Sequence, residues 1–168
     1  MSISIYEALT PPFARQLKSM KAVLAKAEAY AQARSIDPSV LISARLAPDM
    51  HPLNRQIQIA TDGAKGGAAR LAGREPPSFP DTETTFSELQ ERLDKTIAYL
   101  ESLPPEAFEG AEDRTITLKL GAGEMSFPGG FYLLSFVTPN FYFHVTTAYA
   151  ILRHNGVDIG KRDFLSGG

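Results

Sequence analysis

The chain has 168 residues, 43% of them hydrophobic and 21% charged, which suits one globular domain over residues 1–168 with a single core. Seventeen basic against nineteen acidic side chains leave a net charge of −2, whereas nucleic acid or an anionic membrane surface asks for a basic patch. The absence of cysteine excludes disulfides, thiolate metal sites and cysteine nucleophiles; no run approaches the roughly 20 apolar residues of a membrane span, and MSISIYEALTPP lacks the basic flank and apolar run of a secretory signal, so a cytoplasmic protein is expected.

Thr10-Pro11-Pro12 predicts the start of a first helix, with threonine as cap and proline in the first turn. Phe13, Leu17, Met20, Leu24, Ala27 and Ala31 then follow at alternating spacings of four and three, one apolar face of a helix. Asp37-Pro38 predicts a short helix over SVLISARL. A second long helix is expected from near Asp49, with the stripe Leu53, Ile57, Ala60, Ala64, Gly67 and Leu71. Gly63, Gly66 and Gly67 each cost about 1 kcal/mol of helix propensity relative to alanine, so the reading preferred for them is close approach by a neighbouring helix.

The proline-rich GREPPSFPDTET is expected to cross the surface without secondary structure. Thr85-Phe86-Ser87-Glu88 has capping-box spacing, and Phe86, Leu89, Leu93, Ile97 and Leu100 form the third stripe. RTITLKL alternates, with Ile116, Leu118 and Leu120 opposite Thr115, Thr117 and Lys119. Gly121-Ala122-Gly123 can turn the chain and EMSF can return it, Met125 and Phe127 on one face, which predicts a β-hairpin laid against the helices. Phe131–Val137 reads as a short helix or irregular segment, Thr138-Pro139 as a restart, and Phe141, Val145, Ala148 and Leu152 as the fourth stripe, ended by Asn155-Gly156. The aromatic density of FYLLSFVTPNFYFH is read as core, with Tyr132 and Tyr142 able to offer hydroxyls to a pocket, and VDIGKRDFLSGG is read as loop. Four long stripes sharing one core predict a mainly α protein, an antiparallel four-helix bundle with a small inserted β-hairpin.

Two segments resemble a known family. PDMHPLNRQIQIATDGAKGGAARLAG, residues 48–73, is similar to the second bundle helix of the DinB/YfiT-like four-helix-bundle superfamily, in its domain-of-unknown-function branch. PNFYFHVTTAYAILRHNG, residues 139–156, is similar to the fourth helix of that branch, and GKRDFL, residues 160–165, fits its ending. The resemblance implies the bundle fold. It further implies, for many members, a divalent metal on three histidines, one from the second helix and two spaced four apart on the fourth, and for some a thiol-dependent transferase or isomerase activity.

The histidines here are His51, His144 and His154. At roughly 100° and 1.5 Å per residue, His154 lies about 80° round from His144 and about 15 Å further along the helix, so the two cannot share an ion. Positions four from His144 hold Asn140 and Ala148. His51 falls opposite Leu53 and Ile57, while Asp49 and Gln56 lie nearer the inward stripe. Two functions are therefore carried forward. One is a metal-independent small-molecule-binding or interaction protein, its cleft between the second and fourth bundle helices near Asp49, Gln56, Asn140 and His144. No cofactor is expected in that case, the ligand is an unknown small molecule, and the small-residue stripe and aromatic surplus suggest a homodimer. The alternative is a metal-dependent transferase or hydrolase-like enzyme, with zinc or nickel on His144, His51 and other second-helix donors. Asp62 and Lys65, three apart, are read as an exposed helix pair, and Arg153 and His154 as cations favoured by a helix C-terminus.

Overall fold

The computed structural model describes residues 3–121 and 123–166, so Ala122 of the hairpin turn and the side chain of Leu120 lie outside the described residues. The elements are α1 (Ile5–Ala33), α2 (Pro38–Ile42), α3 (Leu53–Leu71), α4 (Phe86–Glu101), a 3-10 turn (Pro105–Phe108), β1 (Thr115–Leu120), β2 (Gly123–Pro128), α5 (Gly129–Tyr132), a π turn (Leu133–Val137), α6 (Thr138–His154) and α7 (Lys161–Leu165). The bundle consists of α1, α3, α4 and α6. The residues of all four apolar stripes are buried in one continuous core.

Three boundaries differ from the expectation from sequence. Helix α1 begins at Ile5, capped by Ser4: the Glu7 backbone N–H donates to Ser4 Oγ at 3.2 Å and the Ser4 N–H donates to Glu7 Oε2 at 2.9 Å. Pro11 and Pro12 thus sit inside the helix. Each removes one backbone hydrogen bond, but Leu9 and Phe13 on either side are fully packed and hold the segment in line. Helix α3 begins at Leu53 rather than near Asp49, with Pro52 at its N-cap. The tail includes α7, docked on α1, where Gln16 Nε2 donates to the Phe164 carbonyl at 3.1 Å and Lys26 pairs with Asp163 at 2.6 Å.

Contacts between helices give their directions. Lys18 meets Glu101 and Lys21 meets Asp94, so α1 and α4 are antiparallel. Gln56 meets His144 and Gly67 faces Val137, so α3 and α6 are antiparallel. Phe13 stacks on Phe141 and Tyr30 reaches Asn155, so α1 and α6 run the same way. It follows that α3 and α4 are parallel, and the connection between them must travel back the full length of α3. Helix α3 has 19 residues, about 28 Å at 1.5 Å per residue; about 14 residues of extended chain reach further than that. The strap from Ala72 to Thr85 does this, passing Lys65 at Phe79, Arg55 at Asp81 and Asn54 at Glu83.

Arg92, 2% exposed, ties the strap down. Its Nε donates to Thr61 Oγ1 at 2.7 Å, and Nη1 to the Pro80 carbonyl at 3.0 Å and Glu83 Oε1 at 2.9 Å. Its Nη2 lies 2.7 Å from Asp62 and 2.9 Å from Asp81. Burying a guanidinium is tolerable only with such a set of acceptors. The Asp62–Lys65 pair belongs to the same cluster. It forms at 2.8 Å, but the Lys65 side chain is buried beneath Phe79 rather than exposed as the sequence suggested.

The hairpin pairs antiparallel, with Ile116 opposite Phe127 and Leu118 opposite Met125. Gly121 takes a positive φ of 61° in its turn, a conformation glycine adopts without steric cost. Ile116 and Leu118 are buried. Beyond it, α5, the π turn and α6 form one helical ramp. Pro139 has no N–H for the Ser135 carbonyl, and the widened turn just before it absorbs that gap. The aromatic run of this ramp is split rather than wholly core. Tyr132 and Phe141 are buried, whereas Phe131, Phe136, Phe143 and Leu134 are exposed, because the ramp covers the bundle on one side only.

Candidate functional site

The seam between α3 and α6 carries most of the residues singled out from sequence. It is narrow because α3 presents glycines there. A Cβ on Gly67 would lie 2.5 Å from Val137 Cγ1, and one on Gly63 would lie 3.2 Å from Asn140 Nδ2. This is the close helix approach that the small stripe predicts. One turn further along α6, His144 Nδ1 lies 2.7 Å from Gln56 Oε1, both residues being buried at 8% and 1% exposure.

The pair has a defined polarity. Gln56 Nε2 donates to the His51 carbonyl at 3.0 Å. A carbonyl can only accept, so the amide NH2 must face His51 and the amide oxygen must face His144. Nδ1 of His144 therefore carries the proton, and in the neutral ring the lone pair is on Nε2. Burial, then the charges of His51 and Arg55, hold the His144 pKa below the ordinary histidine value and favour this neutral form.

His51 and Asp49 are both exposed, in the turn ahead of α3. His154 is exposed at the end of α6, in the last turn beside Arg153, where the helix dipole favours a cation. Among the described residues no group of three His, Cys, Asp or Glu side chains is placed to hold a metal ion. The donor set says why. Where the resemblance implies an imidazole four residues from His144, the chain has Asn140, whose amide is a poor ligand for zinc or nickel, and Ala148, which is none, and the neighbouring Gln56 offers a second amide. The residues present do not fit a three-histidine centre.

Beside this seam lies a cleft of about 810 Å³. It is lined by Gly63 of α3 and Asn140 of α6, by β1, and by Arg74, Glu75 and Pro76 at the start of the strap. Of the five seam and turn residues proposed from sequence, Asn140 alone lines it; Asp49, His51, Gln56 and His144 do not. Tyr132, whose hydroxyl is 3.4 Å from Arg70 Nη1, lines the cleft as well, and burial raises its pKa. The part of the cleft made by Arg70, Arg74, Arg114 and Lys119 was missed in the sequence. These residues sit on separate elements, and only the alternation of RTITLKL hinted that Lys119 faces away from the core.

A family model described as a domain of unknown function (DUF1993) matches residues 5–165. The chain belongs to the DUF1993 family. A crystal structure of a DinB family member protein from Shewanella denitrificans superposes on this DUF1993 chain with a TM-score of 0.91 at 41% sequence identity, covering 96% of this chain and 91% of that one. The bundle with a small hairpin is thus a DinB-like fold, as the two quoted helices suggested. A comparison with curated proteins finds no match. Among the described residues of the DUF1993 chain, no helix is long and apolar enough to cross a membrane.

Proposed function

We propose that this protein binds a small molecule in the cleft at the α3–α6 seam, without a resident metal ion. The observation that carries this reading is the cleft of about 810 Å³ itself, with Asn140 in its lining. Its volume is in the range of ligand pockets, which combine apolar walls with a few convergent polar groups. Asn140 supplies an amide donor and acceptor there. Gln56 and His144 act one turn away as a pair that fixes α6 against α3, and Asp49 lies outside the proposed site. The test is a small-molecule fragment screen on the full chain, read by backbone NMR. Fragments that shift Gly63 and Asn140, and lose affinity in Asn140→Ala, support the reading. A screen in which no fragment perturbs the cleft defeats it.

A second reading, the metal-dependent transferase or hydrolase-like enzyme, has one observation in its favour. His144 Nε2 has no hydrogen-bond partner among the described residues, and His51 is close enough to act on its pKa. Zinc or nickel added to tag-free protein decides between the two. A melting temperature that rises with metal, and does not in His144→Ala, supports the enzyme, because a ligand selective for the folded state must stabilise it.

Self-association belongs to the same proposal. Phe131 is 54% exposed and Leu134 is 69% exposed, and Phe131 stacks on Phe127 with centroids 5.7 Å apart. Exposed apolar groups in one patch mark interaction faces. Sedimentation equilibrium showing a monomer at all concentrations would remove the homodimer.

A further inference from the structure

Six of the seventeen basic residues form ion pairs among the described residues, and four of the other eleven meet in the cleft. Lys18, Lys21, Lys26, Arg55, Lys65 and Arg92 each pair with a carboxylate. Arg70, Arg74, Arg114 and Lys119 line the cleft, and none of them forms an ion pair among the described residues. Among the described residues, Glu75 is the one acid that lines the cleft with them. A protein with a net charge of −2 thus gathers four cations and one acid around a single concavity.

Local folding accounts for part of this arrangement. Arg114 Nη1 donates to the carbonyl of Leu71, one of the carbonyls left open at the C-terminus of α3, and so Arg114 is anchored in the cleft lining. Arg70 projects from the last turn of α3 to the Tyr132 hydroxyl. Arg74 and Lys119 are not anchored in this way, and neither side chain makes a hydrogen bond among the described residues. Lys119 faces Glu124 across the strands, and Glu124 does not line the cleft. Unpaired cations held together in a concave site repel one another, and that repulsion is relieved by an anion. Guanidinium groups bind carboxylate and phosphate oxygens through paired N–H donors. Leu118, Phe136 and Val137 add apolar surface to the same cleft.

We propose that the cleft is a site for a small amphipathic organic anion, its carboxylate or phosphate held by Arg70, Arg74, Arg114 and Lys119 and its apolar body laid against Leu118, Phe136 and Val137. This rests on the reading of the cleft as a small-molecule site and names the class of its ligand.

The test uses the full chain at low ionic strength and two aromatic probes of similar size, phenyl phosphate and neutral benzyl alcohol, titrated by backbone NMR. Phenyl phosphate is expected to shift residues of the last turn of α3, the start of the strap and β1, and to bind more tightly than benzyl alcohol. The Arg74→Ala/Lys119→Ala double variant, which removes no hydrogen bond of the fold, is expected to weaken phenyl phosphate about tenfold, with benzyl alcohol unchanged. Lys161→Ala, an exposed charge on α7, is the control and should leave both affinities as they are. Equal binding of the two probes, indifferent to the double variant, overturns the anion assignment while the small-molecule cleft stands. Equal losses in Lys161→Ala and the double variant overturn it too, since the attraction is then diffuse. If neither probe perturbs the cleft, both readings fall.

Discussion

Gln56 Oε1 and His144 Nδ1 lie 2.7 Å apart across the α3–α6 seam, with the Gln56 amide fixed in turn by the His51 carbonyl. Helix α3 thereby presents to His144 an acceptor that orients it.

Replacing that acceptor tests its polarity. Gln56→Leu leaves the Nδ1–H of His144 without a buried partner and should destabilise the fold by about 1–3 kcal/mol, read from urea denaturation. Gln56→Glu places a carboxylate against the ring and should raise the His144 pKa, read from the imidazole proton shifts in an NMR titration. An unchanged or lower value would contradict the hydrogen bond.

The pH dependence of stability has a definite sign. The folded His144 titrates below the unfolded chain's ordinary value of about 6.5, because burial penalises its charged form. The unfolded chain therefore binds that proton more tightly. The contribution is fully present above the unfolded value and is lost as pH falls through the folded value. Denaturation midpoints should drop on acidification over that window, and His144→Leu should flatten this part of the profile. A profile equally steep in the variant would assign the slope to other groups.

Two adjacent glycines should behave oppositely. A Cβ on Gly67 meets Val137 Cγ1 at 2.5 Å, so Gly67→Ala should cost about 1–3 kcal/mol by overpacking. Val137→Ala in the same chain should recover part of that. A Cβ on Gly66 meets only Arg70, first at Nη1, the far end of a flexible side chain. Gly66→Ala should therefore gain up to about 1 kcal/mol of helix propensity. Thermal unfolding of the three variants measures both signs, and equal losses at the two glycines would refute the packing of this seam.

Arg92→Ala should be the most damaging of these single changes, about 3–5 kcal/mol, since it leaves the Glu83 carboxylate, 11% exposed, without its ion-pair partner and with only the Gln58 amide as donor among the described residues. The strap should loosen with it. Amide exchange at residues 79–83 should speed up more than at the far end of α1, and uniform exchange would show that Arg92 does not hold the strap.

The four helical stripes and the hairpin could be read from the chain alone because they are local facts. Apolar side chains three and four apart can share a face only on a helix, and strict alternation can do so only on a strand. The Thr85–Glu88 capping box was legible for the same reason. Ser4–Glu7 has the identical spacing, but Thr10-Pro11-Pro12 pointed to a later start, and packing of Leu9 and Phe13 carries the helix through the prolines. The tertiary structure alone decided where charges meet. Arg92 reads as a surface residue until the strap returns along α3 and brings residues 80–83 beside Thr61 and Asp62. The cleft cations belong to α3, the strap, the segment before β1 and β1 itself, and no periodicity links them. Apolar burial is set by the geometry of one element, whereas a polar site is a coincidence in space of several, and the path of the connections creates that coincidence.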